Sequence, residues 1–118
     1  MRHLKNTKKF KRTPEERKRL WIDLTRGLIE NKQIVTFTAR AKWFRPKFER
    51  LVTLVKRAGD DEVLAMRRVR PHLPEEVAKK FVREIVPALK DREGGYTRLY
   101  KVDQDFSTHD KSVVLITE

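Results

Sequence analysis

The sequence has no cysteine, only four glycines and two tryptophans among 118 residues, and no apolar run longer than Val113, Val114, Leu115, Ile116. Each shortage closes off a class of protein. Without cysteine there is no disulfide framework, no thiolate zinc site and no cysteine nucleophile; a reducing compartment suits the chain without being required by it. Four consecutive apolar residues fall far short of the roughly 18 that a membrane-spanning helix needs, so a soluble protein with no membrane partner is expected. The histidines His3, His72 and His109 lack the i, i+4 spacing of a helical metal site, and a solvated or RNA-stacked side chain is the plainer reading of each. The acids are dispersed over helix starts, where they answer to the helix dipole, and form no cluster able to hold two metals. No catalytic residue, metal or cofactor is expected.

Positive charge is what the sequence has in excess. Lys and Arg number 29 against 17 Asp and Glu, a net charge of +12. That balance asks for a polyanionic partner, although charge alone does not separate RNA, DNA and an acidic membrane. Its placement says more. Residues 1–12 carry six cations and no acid, and residues 40–57 carry seven cations and one acid, whereas residues 58–118 carry eleven cations and twelve acids. A surface charged only for solubility mixes its signs more evenly.

Residues 1–12 have too few hydrophobes to offset the cost of ordering a backbone, so this basic extension is expected to be disordered alone and to order on a partner. It is acid-free like a mitochondrial presequence but has no repeating apolar face, and a cleaved targeting segment is not expected. Residues 13–118 read as a single α+β domain, a small three-stranded sheet packed with about four helices. Thr13, Pro14 and Glu16 form a capped helix start, and Leu20, Trp21, Leu24 and Leu28 share a face, predicting a helix over about 14–30 with Trp21 in the core. The β-branched segment Gln33–Phe37 predicts a strand, with Thr38 as cap of a helix over 39–58. In that helix Ala41, Phe44, Phe48, Leu51, Val52 and Val55 fall within about 100° of arc, a core stripe. The stripe runs unbroken across Pro46, which favours a bent helix over one that starts at the proline. Asp60 or Asp61 opens a third helix that ends before Pro71; Pro74, Glu75 and Glu76 open a fourth that Pro87 ends or kinks. Period-two patterns at 96–102 and 112–117 give two more strands joined by a polar loop.

Two places combine charge with features suited to nucleic acid. Opposite the core stripe of the second long helix, Trp43, Lys47, Arg50, Leu54 and Arg57 line up at helical spacing, an exposed indole among cations that would stack on an unpaired base while the cations hold phosphates. Arg40, Lys42, Arg45 and Lys56 lie nearer the stripe's borders. The pair Gly94, Gly95 lacks the spacing of a phosphate loop and precedes a strand. It reads equally as a turn needing positive φ and as bare backbone approaching a phosphate beside Thr97 and Arg98. Arg98 is expected to share an outward strand face with Tyr96 and Tyr100.

Met1, Arg2, His3 at the start, Arg26 to Leu28, the run Ile34 to Thr38 leading into Ala41 and Lys42, and above all Gly94, Gly95, Tyr96, Thr97, Arg98 resemble the L-seventeen family of bacterial-type large-subunit ribosomal proteins. The likeness covers essentially the whole chain in order; Leu4 and Phe37 depart from the family's usual residues. It implies an α+β structural component of the large ribosomal subunit, cytoplasmic and without catalysis of its own, bound to large-subunit rRNA near the outer end of the peptide exit tunnel. Neighbouring large-subunit ribosomal proteins would be its other partners, with no homo-oligomer. By position, the implied RNA contacts are Arg2, His3 and the rest of the extension (Lys5, Lys8, Lys9, Lys11, Arg12), then Arg40 and Lys42, then Thr97 and Arg98; the helix face adds Trp43, Lys47 and Arg50. The competing reading, a basic DNA-binding module, would require a pair of helices joined by a tight turn where a strand is expected.

Overall fold

A computed structural model describes residues 9–102 and 111–117 of the chain. The expected sites at Arg2, His3, Lys5 and Lys8, and His109 with its loop, lie outside the described residues. Helix α1 spans Pro14–Asn31 and is capped as its sequence implies, the Thr13 hydroxyl accepting the Glu16 N–H at 3.2 Å. It stops where Lys32 turns left-handed at φ 63° and returns its N–H to the Leu28 carbonyl. Its buried face is Trp21, Thr25, Leu28 and Ile29. Leu20 and Leu24 fall on the border, because the polar Thr25 satisfies its own hydroxyl on the Trp21 carbonyl and is free to enter the core.

Strand β1, Gln33–Phe37, leads directly into α2, Thr38–Arg57. The cap position belongs to Phe37, not to Thr38 as expected. The Thr38 hydroxyl is buried and pairs with Ser112 across the sheet at 2.6 Å, which removes it from capping. The helix runs through Pro46, which is exposed and donates no hydrogen bond to the preceding turn. Helix α3, Glu62–Val69, is capped by Asp61, which accepts the Leu64 N–H at 3.1 Å. Helix α4, Glu75–Lys80, passes into a π-helical turn, Phe81–Ile85, and then into α5, Val86–Ala88. The helical run ends at Ala88, one residue past Pro87, and is interrupted by the π turn just before it, as the expected end or kink at Pro87 implies. The wider turn, closed by the Val86 N–H on the Phe81 carbonyl, relieves the clash the Pro87 ring would make with the preceding turn.

Strands β2, Thr97–Lys101, and β3, Lys111–Ile116, complete an antiparallel sheet of order β1-β3-β2. The fold is therefore α+β with three strands. An aromatic series, Trp21 to Phe44 to Phe48 to Phe81, with centroids 5.9, 5.5 and 5.6 Å apart, joins α1, α2 and the π turn at the centre of the core. Trp21 is 1% exposed, as its place in the apolar stripe implied. The core stripe of α2 is buried at all six expected positions.

Candidate nucleic-acid interface

Helix α2 is flanked on both sides of its core stripe by cations, and the two flanks meet different surroundings. On the sheet side, Arg45 donates from Nε to the Thr97 hydroxyl at 3.0 Å and from Nη2 to the Thr97 carbonyl at 3.2 Å. Glu49 accepts from the Thr97 N–H at 3.0 Å and from its hydroxyl at 2.9 Å. Lys56 donates to the Arg92 carbonyl and to the Tyr96 hydroxyl, its ammonium 5.0 Å from the tyrosine ring centre. Burial opposes ionisation of that phenol, yet hydrogen bonds from Lys56 and the Gly94 backbone, the Lys56 charge and Thr53 outweigh it and hold its pKa below the ordinary value.

This seam changes two expectations. Thr97 is buried, 3% exposed, with its hydroxyl donating to one neighbour and accepting from another, so it fastens β2 to α2 instead of facing outward. Tyr96 also turns inward, beneath Lys56, leaving Arg98 and Tyr100 alone on the outer face. Arg98 is exposed, with the Tyr100 hydroxyl 3.4 Å away. Gly94 and Gly95 take φ of 91° and 59°, and no atom lies within 4 Å of where a Cβ would stand on either. The pair is therefore a positive-φ turn and, at the same time, open backbone.

The outer flank of α2 presents Trp43, Lys47, Arg50 and Leu54. Trp43 is half-buried and packed on the core, contrary to the exposed indole expected, and the Phe10 ring stands edge-on to it at 5.3 Å and 85°. Phe10 reaches it because residues 9–12 form a turn: Phe10 and Lys11 are left-handed, and the Arg12 N–H bonds the Lys9 carbonyl at 3.0 Å. The Arg12 carbonyl in turn accepts from Arg17 at 2.7 Å. The end of the extension is thus attached to the helical body, with Lys9 and Lys11 exposed and Arg12 half-buried. At the start of α2, Lys42 is exposed and the Arg40 guanidinium sits 5.2 Å over the Phe37 ring.

Lys47 lies 4.6 Å over the Trp21 ring, bridging core and surface. Partial burial and the nearby Lys18 push its pKa below the usual lysine value. Burial, Lys47 and Lys18 likewise depress His72. Burial is the larger cause at both groups, and the neighbouring cations add to it, with no acid among the causes to offset them. Trp43, Pro46, Lys47, Arg50, Leu51, Leu54 and His72 enclose a groove of about 250 Å³ there. His72 was not among the expected site residues; no local pattern marks it, because the turn before α4 brings it to α2 from outside that helix. A larger hollow of about 730 Å³ beside α3 is lined by Glu62 and Arg83, which pair with each other at 2.6 Å. Among the described residues no three of His, Asp and Glu converge as a metal site, and no helix is long and apolar enough to cross a membrane.

Fold and flank together define a small, strongly basic α+β protein. The family model of ribosomal protein L17 matches residues 20–117. The large ribosomal subunit protein bL17 of Persephonella marina is 41% identical over 119 residues, covering 98% of this chain and 93% of its own length. The protein of the same description from a Sulfurihydrogenibium species is 43% identical over 104 residues, 87% of this chain and 84% of that one. That of Petrotoga mobilis is 38% identical over 108 residues, 86% and 84% of the two chains. The chain belongs to the ribosomal protein L17 family.

Proposed function

We propose that the protein is a structural constituent of the large ribosomal subunit that binds large-subunit rRNA near the peptide exit tunnel and supports subunit assembly in the cytoplasm, without catalysis. Family membership supports the ribosomal role, and the named relatives are large-subunit proteins. The observation that carries the RNA reading is the outer flank of α2. Lys47 and Arg50 line the groove there and no carboxylate does, while the exposed Lys9 and Lys11 flank Phe10, whose ring meets Trp43. Cations that a fold leaves without internal acids are suited to phosphates. Arg98 and the open Gly94–Gly95 backbone form a second contact, and the extension with Arg2, His3, Lys5 and Lys8 a third; Arg40 and Lys42 extend the first toward the start of α2. Neighbouring large-subunit proteins would cover other faces of the domain. A DNA-binding module finds less support: β1 separates α1 from α2 and is paired with β3, so the two helices do not form a helix-turn-helix.

Filter binding of the full chain to purified large-subunit rRNA at increasing salt tests the proposal. If the six cations of residues 1–12 contact phosphate, the logarithm of affinity should fall against that of salt with a slope of roughly −4 to −5 from them, and deleting residues 1–12 should remove that share. Binding that ignores salt, or prefers duplex DNA of equal length, would reject the reading.

A further inference from the structure

The groove on the outer flank of α2 has a shape and lining that charge alone does not require. Its lining combines the apolar Pro46, Leu51 and Leu54 and the Trp43 indole with the cations Lys47 and Arg50, and His72 joins it from outside the helix. At about 250 Å³ it is smaller than the roughly 300–1,000 Å³ clefts that enclose drug-sized ligands, which leaves room for a single flat ring system. The edge-on Phe10 ring, 5.3 Å from Trp43, holds the indole in place before anything binds, so little ordering remains to be done on association.

We infer that this groove receives one unpaired nucleobase of RNA, stacked against Trp43 and met at its edge by His72, while Lys47 and Arg50 hold the phosphates on either side. The inference rests on the RNA-binding reading and names what part of the RNA the site takes. Three observations favour a base over another occupant. The charged residues that line it, Lys47 and Arg50, are both cations, so the occupant belongs to a polyanion. Four of its seven lining residues, Trp43, Pro46, Leu51 and Leu54, are apolar or aromatic, so what they favour is a flat apolar surface and not the phosphate itself. His72 is half-buried and, among the described residues, its imidazole makes no hydrogen bond, while its backbone N–H is fixed on the Val69 carbonyl at 2.9 Å. Burial, Lys47 and Lys18 lower the pKa of that ring and so favour its neutral form. A neutral imidazole offers one donor and one acceptor, as a base edge does.

The test uses the full chain and three labelled probes of matched charge: octauridylate, octaadenylate and an eight-unit abasic sugar-phosphate strand, with polyglutamate as an acidic peptide competitor. Stacking of one base predicts that the base-bearing strands bind roughly 5- to 150-fold more tightly than the abasic strand, and that polyglutamate competes no better than the abasic strand does. Filling the groove with Leu54→Trp should collapse that difference. His72→Ala, at a partly exposed position, should reduce it. Equal affinity for base-bearing and abasic strands overturns the inference while leaving RNA binding intact; so does binding of large-subunit rRNA with no binding of either octamer. Failure to bind both the octamers and large-subunit rRNA at low salt rejects the RNA reading itself, and displacement by polyglutamate ahead of RNA would assign the groove to an acidic protein segment instead.

Discussion

The two flanks of α2 start from the same material and end differently. Both are cationic, both border one core stripe, and both lie within the stretch whose seven cations face a single acid. On the sheet side that acid, Glu49, sits beside Arg45 and Lys56, and all three are engaged with residues 92–97. On the outer side Lys47 and Arg50 border an acid-free groove. A dense run of cations is therefore not a map of an RNA footprint. Where β2 arrives, Arg45 and Lys56, two of the seven cations, become part of the fold, Arg45 sharing Thr97 with Glu49.

The strongest way to break this contrast is to remove that carboxylate. Glu49→Ala leaves the Thr97 N–H and hydroxyl without their acceptor inside a mostly closed seam, and should cost about 2–3 kcal/mol in denaturant unfolding. A change below about 0.5 kcal/mol would mean the seam is incidental. Trp43→Ala comes next. It removes a half-buried indole and the seat of Phe10, and a loss of about 1–2 kcal/mol is expected, below the roughly 3–5 kcal/mol for a fully buried aromatic such as Trp21. Equal losses at the two tryptophans would move Trp43 from the interface into the core. Arg50→Ala should do least to the fold, staying within about 0.5 kcal/mol in thermal unfolding, while lowering the salt slope of rRNA binding by about 1. Were Arg50→Ala as destabilising as Glu49→Ala, the two flanks would be alike after all.

Much of this architecture is legible in the chain. The Thr13 cap, the buried stripe of α2, an aspartate cap at 60 or 61 for the third helix, which the fold places at Asp61, and a turn as one of two readings of Gly94 and Gly95 all come from patterns spanning a few residues. The candidate interface is legible only in outline. Period-two alternation placed Arg98 outward, but it also grouped Tyr96 with it, and Tyr96 lies before the strand begins and turns in under Lys56. Thr97 read as a free hydroxyl beside a glycine turn because its neighbours in sequence include neither Arg45 nor Glu49. Trp43 read as exposed because Phe10 belongs to a segment with no apolar period, whose left-handed turn no propensity announces.

What the sequence by itself determined is local and compositional: where helices start, which faces are apolar, and that positive charge concentrates in residues 1–12 and 40–57. Such features depend on spacings of a turn or two, which caps, propensities and periodicity encode directly. Only the tertiary structure decided which cations remain available, because the groups that engage Arg45 and Glu49 lie 52 and 48 positions further along the chain. A helical period gives the angle of a side chain about its own axis. What waits at that angle is set by the packing of β2 on one flank and of the His72 turn on the other.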